Sequence, residues 1–396
     1  MARGTIVTRI TDDGSKRYHT VIRVNGKQQW RTFRKKKQAE DYLDELSPDI
    51  RDGSYRELKK ATFGQYIEQW KATYLIPGVI DENNNLTKKR LTPPTIRGYR
   101  TIIDTLLIPE WEHKQMQAIG PDRIEDLNSK LLQRFSNKSA FNALQLAKRI
   151  FRNAVKDGYL KVSPMDGFEM PKYSCKKGRA LKPEEAQKLL AKMEGDRRLM
   201  VMLCLLAGLR RGEMLGLRWT DIDFDHDVLH VRRSLVRLSR KHNQIADGQP
   251  AYVFQPPKYN SFRAVDLSPL LKAELRKSRM KAKDKEGLLF VTTEGTPENP
   301  SNVYNRLFQP AVKAAEIGKL DLHDLRHTFG SWKVEQGENV VYVSKQMGHK
   351  DPSVTLKIYA HLIKESRPEA AAKTDAMLVP QAPASQTVQA ATQHVN

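Results

Sequence analysis

The segment Gly348–Leu362, GHKDPSVTLKIYAHL, carries a tyrosine between two histidines, His349 and His361. Gly348 stands where a helix terminator belongs, directly after the apolar-periodic run NVVYVSKQM of residues 339–347. Glycine takes the left-handed conformation that closes a helix without steric cost. Asp351 and Pro352 then open a second helix, with the carboxylate as N-cap and the proline at the first helical position. This spacing predicts Tyr359 two turns along a short helix, a single bend away from His349. A tyrosine near a helix end is ordinarily a core or rim aromatic, so its neighbours decide whether it is a reactive group.

Two upstream segments supply such neighbours. In HDLRHTFGSW, residues 323–332, His323, Arg326 and His327 stand at i, i+3 and i+4, so one helical face presents imidazole beside guanidinium. Two histidines four apart also have zinc-ligand spacing. However, Asp324 replaces the glutamate of an HExxH motif, and Arg326 puts a fixed positive charge where a cation would sit; no metal is expected. In AGLRRGEMLGLRWTDID, residues 207–223, Arg210 follows the apolar run at a glycine-marked bend. Glu213 comes three residues later, close enough on a helical face to orient the guanidinium. Two arginines converging on one site fit a bidentate clamp on a phosphate.

With PKYNSFR, residues 257–263, these segments form an ordered set. The chain resembles a tyrosine recombinase of the phage integrase family. That family has an arginine in a GLRxxE box, a lysine on a β-hairpin, an HxxR box, a histidine or tryptophan after an LGH-type turn, and a tyrosine ten residues later. The matching residues are Arg210, Lys258, His323 with Arg326, His349 and Tyr359. One position departs from the pattern: Tyr259 stands where the family usually has threonine after the lysine.

The resemblance implies site-specific cleavage and rejoining of DNA through a 3′-phosphotyrosyl intermediate, with neither cofactor nor ATP. In this scheme Tyr359 is the nucleophile and His323 the expected base. Arg210 and Arg326 stabilise the transition-state charge, His349 adds a hydrogen bond, Lys258 is the general acid, and Glu213 supports Arg210. It also implies integration or excision of a mobile element such as a prophage, by a homotetramer on core and arm-type attachment sites. DNA-bending or directionality proteins are possible accessories. A type IB topoisomerase would share the chemistry, and a non-catalytic DNA-binding regulator would need only a basic surface.

Composition agrees with a polyanionic partner: 68 Lys and Arg face 46 Asp and Glu in 396 residues, a formal charge of +22. Double-stranded DNA is the expected partner. No membrane is expected, since the longest apolar run, Leu199–Leu209, is too short to span a bilayer. The expected location is the cytoplasm of a bacterial host cell, at the nucleoid. Cys175 and Cys204 form no metal or disulfide pattern.

The pattern predicts a multidomain α+β protein. Residues 1–58 read as three strands and a helix, with Asn25-Gly26 as a hairpin turn and the helix over Lys35–Leu46. The resemblance makes this an arm-type DNA-binding module, whose contacts are expected from Arg9, Lys16, Arg17, Arg23, Lys27 and Arg31. Residues 61–172 read as an all-helical domain, similar to the family's core-binding domain. A basic linker follows over 173–183, with Lys176, Lys177 and Arg179 expected on DNA. Residues 184–370 form a mainly helical catalytic domain with a small antiparallel sheet, and 371–396 read as a disordered tail.

Overall fold

The computed structural model describes residues 4–24, 27–51, 57–76, 91–174, 178–238 and 251–363, with Gly78, Asp81 and Thr374. The Asn25-Gly26 turn, Lys176, Lys177 and nearly all of the 371–396 tail lie outside them. The architecture is multidomain α+β. Described residues up to 76 and from 95 to 174 form one compact unit, and those within 77–94 and from 178 on form a second.

In the first unit β1 (Thr5–Ile10), β2 (Lys16–Val24) and β3 (Lys27–Phe33) form an antiparallel sheet in that order. The register pairs Arg9 with Arg17, Val21 with Trp30 and Thr20 with Arg31. Because side chains alternate along a strand, Arg9, Arg17 and Arg23 share one face with Val7, His19 and Trp30. Ile22, Thr20 and Arg31 take the other face, which helix α1 (Lys36–Arg51) covers, burying Ile22 and Ala39. The six basic residues therefore do not share a surface. Lys16 and Arg31 alternate toward the helix side, and the Arg31 guanidinium lies 4.5 Å from the Tyr42 ring centre. Lys27 opens β3.

The helical part contains α2 (Phe63–Tyr74), α3 (Pro93–Ile102), α4 (Ile108–Trp111), α5 (Pro121–Arg134) and α6 (Asn137–Lys156). Thr62 and Gln65 close a capping box at the start of α2, and Pro121 is the first residue of α5. Helix α3 does not continue as an α-helix but passes into a π turn over Ile103–Leu107. Pro109 explains the change, since it has no N–H to return to the Thr105 carbonyl four residues back. Phe63, Trp111 and Phe151 meet with ring centres 5.3–6.0 Å apart in the core.

The second unit begins with α7 (Pro183–Ala191), α8 (Gly195–Leu206) and α9 (Arg211–Leu215). Strands β4 (Ile222–Asp223), β5 (Val228–Val231), β6 (Ser234–Arg237), β7 (Tyr252–Gln255) and β8 (Arg263–Asp266) follow. They form two sheets, β4-β5-β8 and β6-β7. The run VLHVRRSLVRL is thus two strands, divided where Arg233 turns inward to bond the buried Asp221 at 2.5 Å. The remaining helices are α10 (Pro269–Lys281), α11 (Pro300–Asn302), α12 (Gln309–Ala314), α13 (Leu322–Glu335), α14 (Val340–Met347) and α15 (Pro352–Tyr359).

Helix α8 is the centre of this unit. It buries Leu199 through Leu205 and packs on α10 and α13. Burial pushes the Cys204 thiol up to about 12, which leaves it inert. Among the described residues no helix is long and apolar enough to cross a membrane.

Candidate active site

Helix α8 ends at Leu206, and Gly208, at φ 62, turns the chain so that Arg210 is the extended N-cap of α9. A Cβ at 208 would stand 2.6 Å from the Phe329 ring, so close packing as well as backbone angle calls for glycine. The Arg210–Glu213 contact is made, but not along one helical face. Glu213 is the third helical residue, and its carboxylate accepts the Arg210 backbone N–H at 3.0 Å and Nη1 at 2.6 Å.

Glu213 is 2% exposed and also receives two bonds from Arg263, at 2.7 and 3.2 Å. Burial pushes its pKa up, but Arg263, and after it Arg210, outweigh burial and hold the carboxyl down at about 2. The two guanidinium groups thus share one buried anion. Arg263 was legible only as part of the PKYNSFR box; its partner was not.

The same arginines, with Arg326, converge on the end of α14. Arg263 Nε donates to the Gln346 carbonyl at 2.7 Å, Arg326 Nη2 to the Met347 carbonyl, and Arg210 Nη2 to the Gly348 carbonyl at 2.9 Å. Three successive carbonyls at the negative end of a helix dipole therefore face three cations drawn from β8, α13 and the start of α9. Gly348, at φ 64, makes the left-handed turn that presents them. Arg326 is 2% exposed and also donates to the Gly208 carbonyl at 2.5 Å. Burial first, then repulsion from Arg210 and Arg263, lowers its pKa to about 9.

His349 follows the turn, with Nδ1 2.8 Å from Thr355 Oγ1; burial and the cations of Arg326 and Arg210 bring it down to about 4. Tyr359 lies at the end of α15, where Asp351 is the N-cap and Pro352 begins the helix. It is 2% exposed. Its ring lies over Gly330 of α13, where a Cβ would meet the phenol oxygen at 2.6 Å. Its hydroxyl is 3.1 Å from His327 Nδ1. His323, one turn before, stands edge-on to His327 at 4.8 Å between ring centres. The phenol's polar neighbour is therefore His327, which the i+4 spacing had placed on the right face without giving it a role. Burial raises the Tyr359 pKa to about 12 and lowers those of His323 and His327.

Other expected residues stand apart from this cluster. Lys258 lies between β7 and β8, which belong to different sheets, rather than on a hairpin connecting paired strands. It is exposed, with Nζ 5.0 Å from the Tyr259 ring centre, and Tyr259 and Asn260 both have positive φ. Tyr342 donates to Asp266 at 2.6 Å. Arg179 does not present a free guanidinium: it binds Glu185 and the carbonyls of Ile317 and Lys319. Asp324 is occupied as a cap, accepting the backbone N–H groups of Asp321 and Arg179 at 2.8 and 3.2 Å. Among the described residues no three His, Cys, Asp or Glu side chains cluster as a metal site.

Residues 179–366 match the model of the phage integrase family. The chain is 27% identical to a XerC-like tyrosine recombinase of Caldanaerobacter subterraneus subsp. tengcongensis, over 92% of this chain and 97% of that protein. It is 31% identical to the tyrosine recombinase XerC of Azotobacter vinelandii, over 62% of this chain and 77% of that protein. It is also 27% identical to the ICEBs1 integrase of Bacillus subtilis, over 72% and 78%. In fold it is similar to a lambda integrase solved as a tetramer on a Holliday junction, with a TM-score of 0.59 at 16% identity over 91% of this chain and 96% of that one. The chain belongs to the phage integrase family of tyrosine recombinases, the enzymes that cleave and rejoin DNA at specific sites.

Proposed function

We propose that this recombinase integrates or excises a mobile element, with Tyr359 as its nucleophile and Arg210, Arg326 and His349 around the scissile phosphate. The observation that carries the reading is the convergence of Arg210 and Arg326 on the Met347 and Gly348 carbonyls, on the turn that leads to α15 and Tyr359. A guanidinium has five N–H donors, so each arginine keeps donors for the non-bridging oxygens. In a dry site such donors, aimed at developing charge, are worth several kcal/mol.

Tyr359 attacks phosphorus as the bond to the 5′ oxygen breaks. Lys258 supplies the departing oxygen's proton, entering the site from its exposed loop when DNA is bound. His323 lies at the edge of the same site as a proton-handling group. The 3′-phosphotyrosyl bond conserves the phosphodiester energy, so a 5′-hydroxyl from another duplex can reseal the strand without ATP. Exchange between two duplexes cuts four strands with one nucleophile per chain, which calls for four copies on the DNA.

The ICEBs1 integrase and the prophage integrase IntR of Escherichia coli, similar to this chain at 27% and 26% identity, support a mobile element as the cargo. Residues 1–58 are the arm-type module, 61–172 the core-binding domain, 173–183 the linker and 184–370 the catalytic domain, acting at the nucleoid in the cytoplasm. A nicked core-site duplex tests the assignment. The wild-type chain forms a denaturant-resistant protein–DNA adduct, and Tyr359→Phe binds the duplex without forming one. An adduct in the Phe variant, through Tyr342 for instance, would overturn it.

A further inference from the structure

We propose that His327, rather than His323, takes the proton from Tyr359 during cleavage and returns it during rejoining. The proposal rests on Tyr359 being the nucleophile. Its starting point is contact: His327 Nδ1 is 3.1 Å from the phenol oxygen, while the described contact of His323 is with the His327 ring. A general base must lie within hydrogen-bond reach of the proton it removes.

The surroundings keep His327 available for this role. It is half-buried on α13, and Gly178 packs against its Cδ2–Nε2 edge, the side away from Nδ1; a Cβ at 178 would meet that edge at 2.2 Å. With its proton on Nε2, the ring offers Nδ1 a lone pair toward Tyr359. Burial lowers its pKa, and Arg326 lowers it further, so the ring is neutral and able to accept at neutral pH. Asp324, on the same helix, raises the pKa and so steadies the imidazolium once it forms. The phenol itself, pushed up to about 12, ionises too rarely to act without an acceptor.

The step balances. The Tyr359 O–H bond breaks and its proton moves to Nδ1. The phenol oxygen bonds to phosphorus as the P–O5′ bond breaks, and the 5′ oxygen takes its proton from Lys258. In rejoining, the imidazolium returns its proton to the departing tyrosine while the attacking 5′-hydroxyl loses one to Lys258.

The test is single-turnover adduct formation on a duplex whose scissile 5′ oxygen is replaced by sulfur. A thiolate leaves without a proton, which removes the acid from the rate and leaves the base. Charged or titratable groups around His327 are His323, Asp324 and Arg326 on its own helix, Tyr359 on α15, and His349 on the turn before α15. The wild-type rate is expected to be level at neutral pH and to fall tenfold per unit through an imidazole limb on the acid side.

His327→Asn keeps a polar atom near the Nδ1 position but cannot take up the proton. It is expected to lose about 10²–10⁴-fold in rate, bind the duplex normally, and replace the limb with a rise toward the phenol pKa. His323→Asn is expected to be slower with the limb intact. The proposal fails if His327→Asn reacts within about threefold of wild type, which is the result for a residue that only positions the hydroxyl. It fails equally if the limb disappears in His323→Asn, or if the wild-type rate stays level as pH falls below 6.5, a result independent of how any variant folds. Failure of the nucleophile assignment is separate, because it appears as an adduct in Tyr359→Phe.

Discussion

At the scale of single residues, Glu213 shows how much of the site depends on one buried charge. Its carboxylate holds Arg210 and Arg263 together, and both arginines also bind the end of α14. Glu213→Gln keeps the shape and removes the anion, leaving two cations with Arg326 close by. Breaking a buried pair in this way costs about 3–5 kcal/mol. Thermal unfolding is expected to show that loss.

The same residue sets an acid limit on stability. The Glu213 pKa is near 2 in the folded chain against an ordinary 4.5, so its contribution is complete above pH 4.5 and disappears as pH falls toward 2. That difference corresponds to about 3 kcal/mol. His349 acts in the same direction at higher pH. It stays neutral to about pH 4 when folded but protonates near 6.5 when unfolded, so stability declines as pH falls from 6.5 to 4. Melting temperature followed from pH 7 downward should therefore fall in two stages, and Glu213→Gln should weaken the lower one, to which other depressed carboxylates such as Asp13 and Glu185 also contribute. A variant that keeps both stages undiminished would show that Glu213 is not a group responsible.

At the scale of elements, the turn between α14 and α15 holds the site together. Gly348 is left-handed, and a Cβ there would come within 2.8 Å of the Arg263 guanidinium. Gly348→Ala therefore combines backbone strain, about 1–3 kcal/mol, with a clash against the arginine cluster. Adduct formation should slow more than core-site binding weakens, because the displaced carbonyls are those that aim Arg210 and Arg326. An Ala variant with wild-type kcat and wild-type melting temperature would show that the turn is tolerant.

At the scale of the whole molecule, positive charge is distributed by strand alternation as well as by composition. Arg9, Arg17 and Arg23 share the open face of the N-terminal sheet with His19 and Trp30, while α1 covers the opposite face. Replacing those three arginines by alanine in the full chain should leave the buried side of the sheet intact. Recombination that needs distal sites should weaken, while Tyr359-dependent cleavage of a lone core site persists. If all three contact phosphates, the slope of log binding constant against log salt should fall by about 0.9 for each. An unchanged slope on full attachment sites would show that this face does not meet DNA.

Much of this was legible in the sequence because it is local. Strand alternation around GTIVTRI and RYHTVIRV, the Pro121 and Asp351 helix starts, and the Gly348 stop depend on backbone preferences within a few residues. The ordered boxes around Arg210, Lys258, His323, Arg326, His349 and Tyr359 are likewise a property of the chain read in one direction. What required the tertiary structure were the relations between distant segments. Spacing put His327 on a helical face but could not say that α15 brings the phenol to it. It could not show that Arg263 of β8 shares Glu213 with Arg210, or that Arg179 is spent on Glu185 and two carbonyls. Nor could it divide VLHVRRSLVRL between two sheets, since the cause is Arg233 turning to a buried aspartate. Local patterns fix which conformations each segment can adopt, whereas partner choice is settled by which buried charges and hydroxyls must find one another once water is excluded.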